Sequence, residues 1–257
     1  MRAAIVATLC AGAVVACGGA VDTRPAARLD SVRTPTIAPV VQPRPIALDT
    51  ATGAVLEFWP LFIAPGRQVD ETRRIVEHLQ ADLTRVEGFE SATLLASGDG
   101  SSLLLVAAWR DGTAADRAHD ALAGWLRVEG DSVRQRRRAG TLTPRVTVRR
   151  TIGSAPTLHD SALVLFTRYA MKPGHSFGAL AVLADSNLAM RVLQDTAAQG
   201  GTTLAAADSG ALYMLMQART ATALDTALQP GGSLPFWAPF SEREEQLLAV
   251  VATVHHR

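Results

Sequence analysis

Ala54–Gly66 reads AVLEFWPLFIAPG, and Ala162–Gly174, 108 residues later, reads ALVLFTRYAMKPG. The two stretches align without a gap: Phe58 falls on Phe166, Pro65-Gly66 on Pro173-Gly174, and apolar residues fill most positions before the turn. More landmarks follow at an offset of 109. Asp99 before SLLLVAAW matches Asp208 before ALYMLMQA, and Asp116-Arg-Ala118 matches Asp225-Thr-Ala227. Self-similarity of this kind restricts the chain to an architecture of two related units of about 100 residues each. Its function must be something such a pair can do.

Composition removes several classes. The chain has 257 residues, 48% hydrophobic and 19% charged, enough for two modest cores. A formal net charge of +1 gives no bulk attraction to nucleic acid. Lys172 is the only lysine among 25 basic residues, a bias read as nucleotide composition of the gene. Both cysteines, Cys10 and Cys17, precede the folded part. A disulfide, a thiolate metal site and a Cys nucleophile are therefore excluded there.

The N-terminus is organised for export. Met1-Arg2 is a minimal positive region, and Ala3–Ala16 is an apolar run of 14 residues. That is short of the roughly 20 needed to span a bilayer and suits a secretory signal. Val14-Val15-Ala16-Cys17 resembles the bacterial lipobox, which implies cleavage before Cys17 and lipidation of Cys17; the alternative is a plain signal peptide cut nearby. Several acyl chains on Cys17 would make the membrane a stable partner. Gly18 follows where Asp would signal inner-membrane retention, so an outer-membrane or periplasmic placement in the envelope is expected. Residues 17–50 carry Pro25, Pro35, Pro39, Pro43 and Pro45 without sustained periodicity. They read as a semi-stiff tether reaching on the order of 100 Å.

Two repeats are expected beyond the tether, at 51–153 and 158–257. In the first, Val55–Ile63 is strand-like and Pro65-Gly66 turns it. Asp70 and Glu71 open a helix with an apolar stripe of Val69, Thr72, Val76, Leu79, Leu83 and Val86, and Gly88 stops it. Phe89–Ala96 and Ser102–Trp109 form a hairpin through Ser97-Gly98-Asp99-Gly100. Thr113–Leu126 is a second helix, Arg134–Arg138 a polar loop, and Arg145–Ile152 a last strand. The order β-α-β-β-α-β is that of a ferredoxin-like fold, α+β, with both helices on one sheet face. The second unit repeats it through Leu163–Met171, a helix over Ser176–Gln199 interrupted at Asp185-Ser186, and strands at Thr202–Ala207 and Ala211–Ala218. A helix at Thr220–Leu228 and a strand at Gln246–His255 complete it, with aromatic residues in Pro230–Phe240 capping one barrel end.

An ordered set of landmarks in the first unit points to a family. Pro65-Gly66 follows strand one, Gly88-Phe89 precedes strand two, Gly-Asp-Gly makes the hairpin, Trp109 ends strand three and His119 lies ten residues on. Together these resemble the antibiotic biosynthesis monooxygenase-like domain of the dimeric α/β-barrel superfamily, over about residues 52–153 with a weaker echo in 158–257. The resemblance implies two sheets packed face to face; here both lie in one chain, giving an internal pseudo-dimer and a monomer. It also implies a pocket between sheet and helices, and activation of the substrate itself towards oxygen without metal or bound flavin. Trp109 and His119 are then the catalytic candidates, and Trp59, Phe62, Trp109 and His119 the ligand-lining ones. The haem-degrading branch places an Asn on strand one, where this chain has Trp59, and Thr167 in the second unit. That constellation is incomplete. Ala218 replaces Trp109 in the second unit, so any site belongs to the first.

Each candidate has a plainer reading. His119 can serve as a base or hydrogen-bond a phenol or quinone oxygen, imidazole titrating near neutrality, or it simply lines helix two and meets solvent. Trp109 and Trp59 are walls for an aromatic ligand or core residues. Glu57 shares the face of Trp59 and reads as a rim charge rather than an inward carboxylate. His255 and His256 point to opposite faces of a strand and cannot share a metal. No nucleophile elbow or phosphate-binding glycine loop is present. Three functions fit: a module binding a small hydrophobic or aromatic molecule, which is favoured; a cofactor-independent monooxygenase on an aromatic or quinone-like substrate; and a non-catalytic structural or interaction module.

Overall fold

The computed structural model describes residues 45–50, 53–119, 133–134, 145–194, 198–220 and 238–256. Expectations for the signal, Cys17, most of the tether, the rest of helix two, the helix at Thr220–Leu228 and most of Pro230–Phe240 lie outside those residues. The strands are β1 (Ile46–Ala47), β2 (Val55–Ile63), β3 (Phe89–Ser97), β4 (Ser102–Trp109), β5 (Val133–Arg134) and β6 (Arg145–Gly153). They continue with β7 (Thr157–Leu158), β8 (Leu163–Met171), β9 (Ala198–Ala206), β10 (Ala211–Ala218) and β11 (Ser241–His255). Helix α1 spans Gln68–Ala81, α2 is the helical segment 112–119, and α3 spans Phe177–Gln194.

Hydrogen-bonded neighbours run β4-β3-β11-β8-β10-β9-β6-β2, and β2 pairs back onto β4, which closes an eight-stranded antiparallel barrel. The fold is α+β, of the α/β-barrel kind. Within the first half the order is β6-β2-β4-β3, and within the second β11-β8-β10-β9. The halves meet along two seams, β3 with β11 and β6 with β9. Each ladder has one register shift, at Val250–Ala252 and at Val148–Arg150, yet each half supplies the edge partners of the other.

Strand alternation divides the apolar residues into one lumen and two outer layers. Phe58, Phe166 and Tyr213 form an aromatic cluster in the lumen with Leu56, Val106, Leu215 and Val250. Residues 57, 59, 61 and 63 of β2 point outward, where Trp59, Leu61 and Ile63 pack with Ile75, Val76 and Leu79 of α1 and Ala114, Ala115 and Ala118 of α2. A matching layer of Leu165, Tyr169, Leu212, Met214 and Met216 packs with Leu180, Ala184 and Leu188 of α3.

Several boundaries differ from the sequence reading. Thr72, Val76, Leu79 and Leu83 of the expected stripe are buried, but Ile75 joins them and Val69 is half exposed. The helix ends at Ala81 and a 3-10 turn at Leu83–Arg85 follows, so Gly88 serves the turn into β3. Helix α3 is continuous through Asp185-Ser186, because Asp185 is buried and accepts a 2.5 Å hydrogen bond from Thr203 Oγ1. Ser186 donates back to the Val182 carbonyl at 2.9 Å, the helical alternative to capping. Gly200-Gly201 lies inside β9 instead of ending a helix. A Cβ on Gly200 would stand 2.1 Å from the Ser154 carbonyl oxygen, and one on Gly201 2.6 Å from Leu188 Cδ1. These glycines permit close packing, not termination. The folded part also reaches back into the expected tether. Ile46 and Ala47 pair with Leu158 and Thr157, and Ile46 and Leu48 are buried against the lumen cluster.

Candidate functional site

The outer layer of the first half holds a buried carboxylate. Glu57 sits mid-β2 opposite Ala107 of β4, facing the helices, and is 1% exposed. Trp109 pairs with Val55, one diagonal step along the same face, and its indole Nε1–H donates to Glu57 Oε2 at 3.2 Å. Phe89 meets Trp109 edge-on at 5.4 Å between centroids, which fixes the indole plane. His119 approaches from α2, with Nδ1 3.4 Å from Glu57 Oε1 and its ring 5.2 Å from that of Trp59. Trp59 is 2% exposed, while the His119 side chain is about one-third exposed at 34%.

Local sequence delivers His119 to this place. Asp111 caps α2 by accepting from the Ala114 N–H at 2.8 Å. Its backbone hydrogen bonds and Arg110 hold its carboxyl below the usual aspartate value. Ala114, Ala115 and Ala118 bury the inner face, and Arg145 of β6 grips Asp116 at 2.6 Å. Gly88, at φ +84°, lets the turn before β3 touch the helix: a Cβ there would lie 2.4 Å from Ala114 Cβ. The tightness of that contact sets how close α2 approaches Glu57.

Burial pushes the Glu57 carboxyl above the usual glutamate value; the charge and hydrogen bond of His119 and the indole donors of Trp59 and Trp109 only partly oppose this. The Trp59 N–H lies near enough to favour the ionised carboxylate, yet it is outside hydrogen-bonding geometry with any group. A carboxylate holding Nδ1 of an imidazole leaves Nε2 facing away from it. That is the geometry of an oriented general base.

Three of the four expected ligand-lining residues therefore converge: Trp59, Trp109 and His119. Phe62 does not join them, since alternation along β2 puts it on the opposite strand face from Glu57 and Trp59, where it is only partly buried. Glu57, expected at the rim, is the centre of the cluster. Its burial was concealed because a carboxylate at alternate spacing to Trp59 reads equally as an exposed charge. Of the terminal histidines, His255 lies in β11 and His256 Nδ1 contacts the Thr84 carbonyl at 2.9 Å. Among the described residues no group of three or more His, Cys, Asp or Glu converges to hold a metal.

The second half is chemically different at matching positions. Leu165, Thr167 and Ala218 stand where Glu57, Trp59 and Trp109 do. A separate polar cluster occupies that layer: Thr167 Oγ1 donates to Glu245 Oε1 at 3.0 Å, and Arg191 and Arg243 pair with Glu245. Tyr169 lies beside it, its phenol pushed up to about 12 chiefly by burial. Sequence reading missed this cluster because its members come from three separate elements.

Comparison with known proteins extends the fold argument. No protein-family model matches the chain, and no curated protein does. The structure is similar to that of an anthrone oxidase-like protein, with a TM-score of 0.61 at 15% identity, covering 82% of this chain and 96% of that one. It is also similar to a candidate monooxygenase from Fusobacterium nucleatum subsp. nucleatum, with a TM-score of 0.51 at 7% identity, covering 79% and 94%. Such identities show a shared α/β-barrel fold.

Proposed function

We propose that this protein is a cofactor-independent oxygenase acting on a phenolic or anthrone-like aromatic, with Glu57 and His119 as its proton-transfer pair. One observation carries the reading: a carboxylate buried in an apolar layer, held by an imidazole that reaches solvent. His119 Nε2 removes a proton from the substrate, and Glu57 orients the ring and stabilises the imidazolium. The resulting carbanion or phenolate reacts with O2. For a methylene between aromatic rings the balance is R2CH2 + O2 → R2C=O + H2O, which needs no further oxidant. The names carried by the structural neighbours, anthrone oxidase-like and monooxygenase, support this chemistry by analogy of fold. Trp59 and Trp109 supply flat apolar walls, and the anion forms where water is scarce.

The two halves are read as ferredoxin-like repeats, supported by their identical strand order and the alignment of Ala54–Gly66 with Ala162–Gly174. The second has lost the site and serves to close the barrel. The lipobox-like Val14–Cys17 supports anchoring to the envelope, where a small oxidase would meet hydrophobic compounds entering from outside.

The test is oxygen uptake by the full chain with anthrone, followed beside product formation. One O2 consumed per ketone formed is expected. Saturable quenching of tryptophan fluorescence without oxygen uptake would make the protein a binding module instead.

A further inference from the structure

Five large apolar side chains are exposed among the described residues, and four of them stand on α3: Val182, Leu183, Met190 and Leu193, at 63%, 37%, 54% and 83%. Positions 182, 186, 190 and 193 follow the spacing of one helical stripe, with Leu183 at its edge. The two charged residues of α3 turn away from it: Asp185 is buried against Thr203, and Arg191 pairs with Glu245 of β11. Helix α1 holds the matching place in the first half, after the matching Pro-Gly turn, and it exposes Asp70, Arg73 and Glu77. The outer face of α1 is that of a solvated helix. The outer face of α3 is that of a contact surface.

The start of the chain selects the partner. Ile46 pairs with Leu158, and the Leu48 N–H donates to the Pro156 carbonyl at 2.9 Å, which fixes the root of the tether. That root lies near the C-terminal end of α3: Gly153 precedes Pro156 by three residues, and a Cβ on it would stand 3.2 Å from Val192 Cγ1. Residues 17–44 connect the root to the lipobox cysteine and reach on the order of 90 Å. An acylated Cys17 therefore keeps the stripe within range of lipid, and docking becomes an intramolecular event. We propose that α3 lies in the plane of the membrane surface, with Val182, Leu183, Met190 and Leu193 among the acyl chains. The inference rests on the anchoring read from Val14–Cys17 and is independent of the oxygenase reading. Burial of the stripe in lipid is favourable in proportion to its apolar area. No helix among the described residues is long and apolar enough to cross a membrane, so the contact is interfacial. The two halves form opposite walls of the barrel, and docking through α3 turns α1, α2 and His119 away from the lipid.

The test uses the lipidated protein made from the chain's own signal and reconstituted into phosphatidylethanolamine–phosphatidylglycerol vesicles. Cleavage removes Cys10 and acylation occupies the Cys17 thiol, so Leu193→Cys or Glu77→Cys supplies the one reactive thiol for an environment-sensitive fluorophore. On reconstitution the label at 193 should shift to the blue and be quenched by spin-labelled acyl chains. The label at 77, on α1, should do neither. Val182→Asp combined with Met190→Asp should abolish both effects while the protein stays with the vesicles. Water-like emission at 193 from acylated protein in vesicles overturns the inference and leaves anchoring intact. An N-terminal mass without acyl chains removes the anchoring reading and the inference with it. The processed chain with Cys17→Ser, free of vesicles, tests the other occupants. Shielding of the 193 label that grows with protein concentration assigns the face to a second copy, and shielding at every concentration assigns it to the chain itself. Either result overturns the membrane contact.

Discussion

Glu57 is a residue whose environment works against its charge. Its folded carboxyl is raised by burial above the reference value of 4.5. The folded state therefore holds the proton more tightly than the unfolded state, and stability falls as pH rises from that reference through the folded value. Glu57→Gln cannot ionise and keeps an acceptor for the Trp109 N–H. It should be more stable than the wild type at pH 8, with the gap closing towards pH 4; denaturant midpoints across pH measure this. A gain in stability with loss of activity is the signature of a functional strain, not of a structural ion pair. Tyr169 gives an independent check. Its folded value of about 12 exceeds the unfolded reference of 10.0, so stability present below pH 10 is lost as pH rises through 12. Two units correspond to about 3 kcal/mol, and Tyr169→Phe should resist alkaline unfolding by that margin. At this scale Trp109 and His119 were legible, since strand end and helix spacing set their places. Glu57 was not, because period-2 alternation fixes which residues share a face but not which face is covered.

At the scale of elements, glycines and one buried aspartate decide how helices dock. Gly88→Ala meets Ala114 and forces φ +84° on an L-residue, costing about 2–4 kcal/mol. It should also shift α2 and lower activity through His119. Gly66, at φ +77° with open space around it, should cost only about 1–2 kcal/mol as alanine and leave activity unchanged. Urea unfolding with oxygen uptake on the same samples separates the two. Asp185→Ala removes the acceptor of Thr203 and the partner of Arg149 and should cost about 1–3 kcal/mol, whereas Ser186→Ala should be nearly neutral. Sequence reading placed most strands within a residue or two, because alternation and the Pro-Gly and Asp-Gly turns are local signals. It broke α3 at Asp185-Ser186 and took Gly200-Gly201 for a stop. In both places a partner distant in sequence overrides local preference: Thr203 holds Asp185, and Ser154 and Leu188 demand that Gly200 and Gly201 lack side chains.

For the whole molecule, closure joins the halves through β3–β11 and β6–β9, so neither half buries its own edges. The barrel was expected only through the family resemblance, which implies that two sheets in one chain pack as a pair. That resemblance could not show that residues before the first repeat contribute, which Ile46 and Leu48 do by covering the lumen. If lipidation at Cys17 anchors this body, Cys17→Ser expressed from its own signal should move from the membrane to the soluble fraction with the barrel intact. Proton removal by the Glu57–His119 pair is the central step of the proposed reaction. The decisive measurement is initial oxygen uptake with anthrone by the wild type and Glu57→Gln, both confirmed folded. A fall of about 10²-fold or more in kcat is predicted. Equal rates in the two proteins would contradict the account.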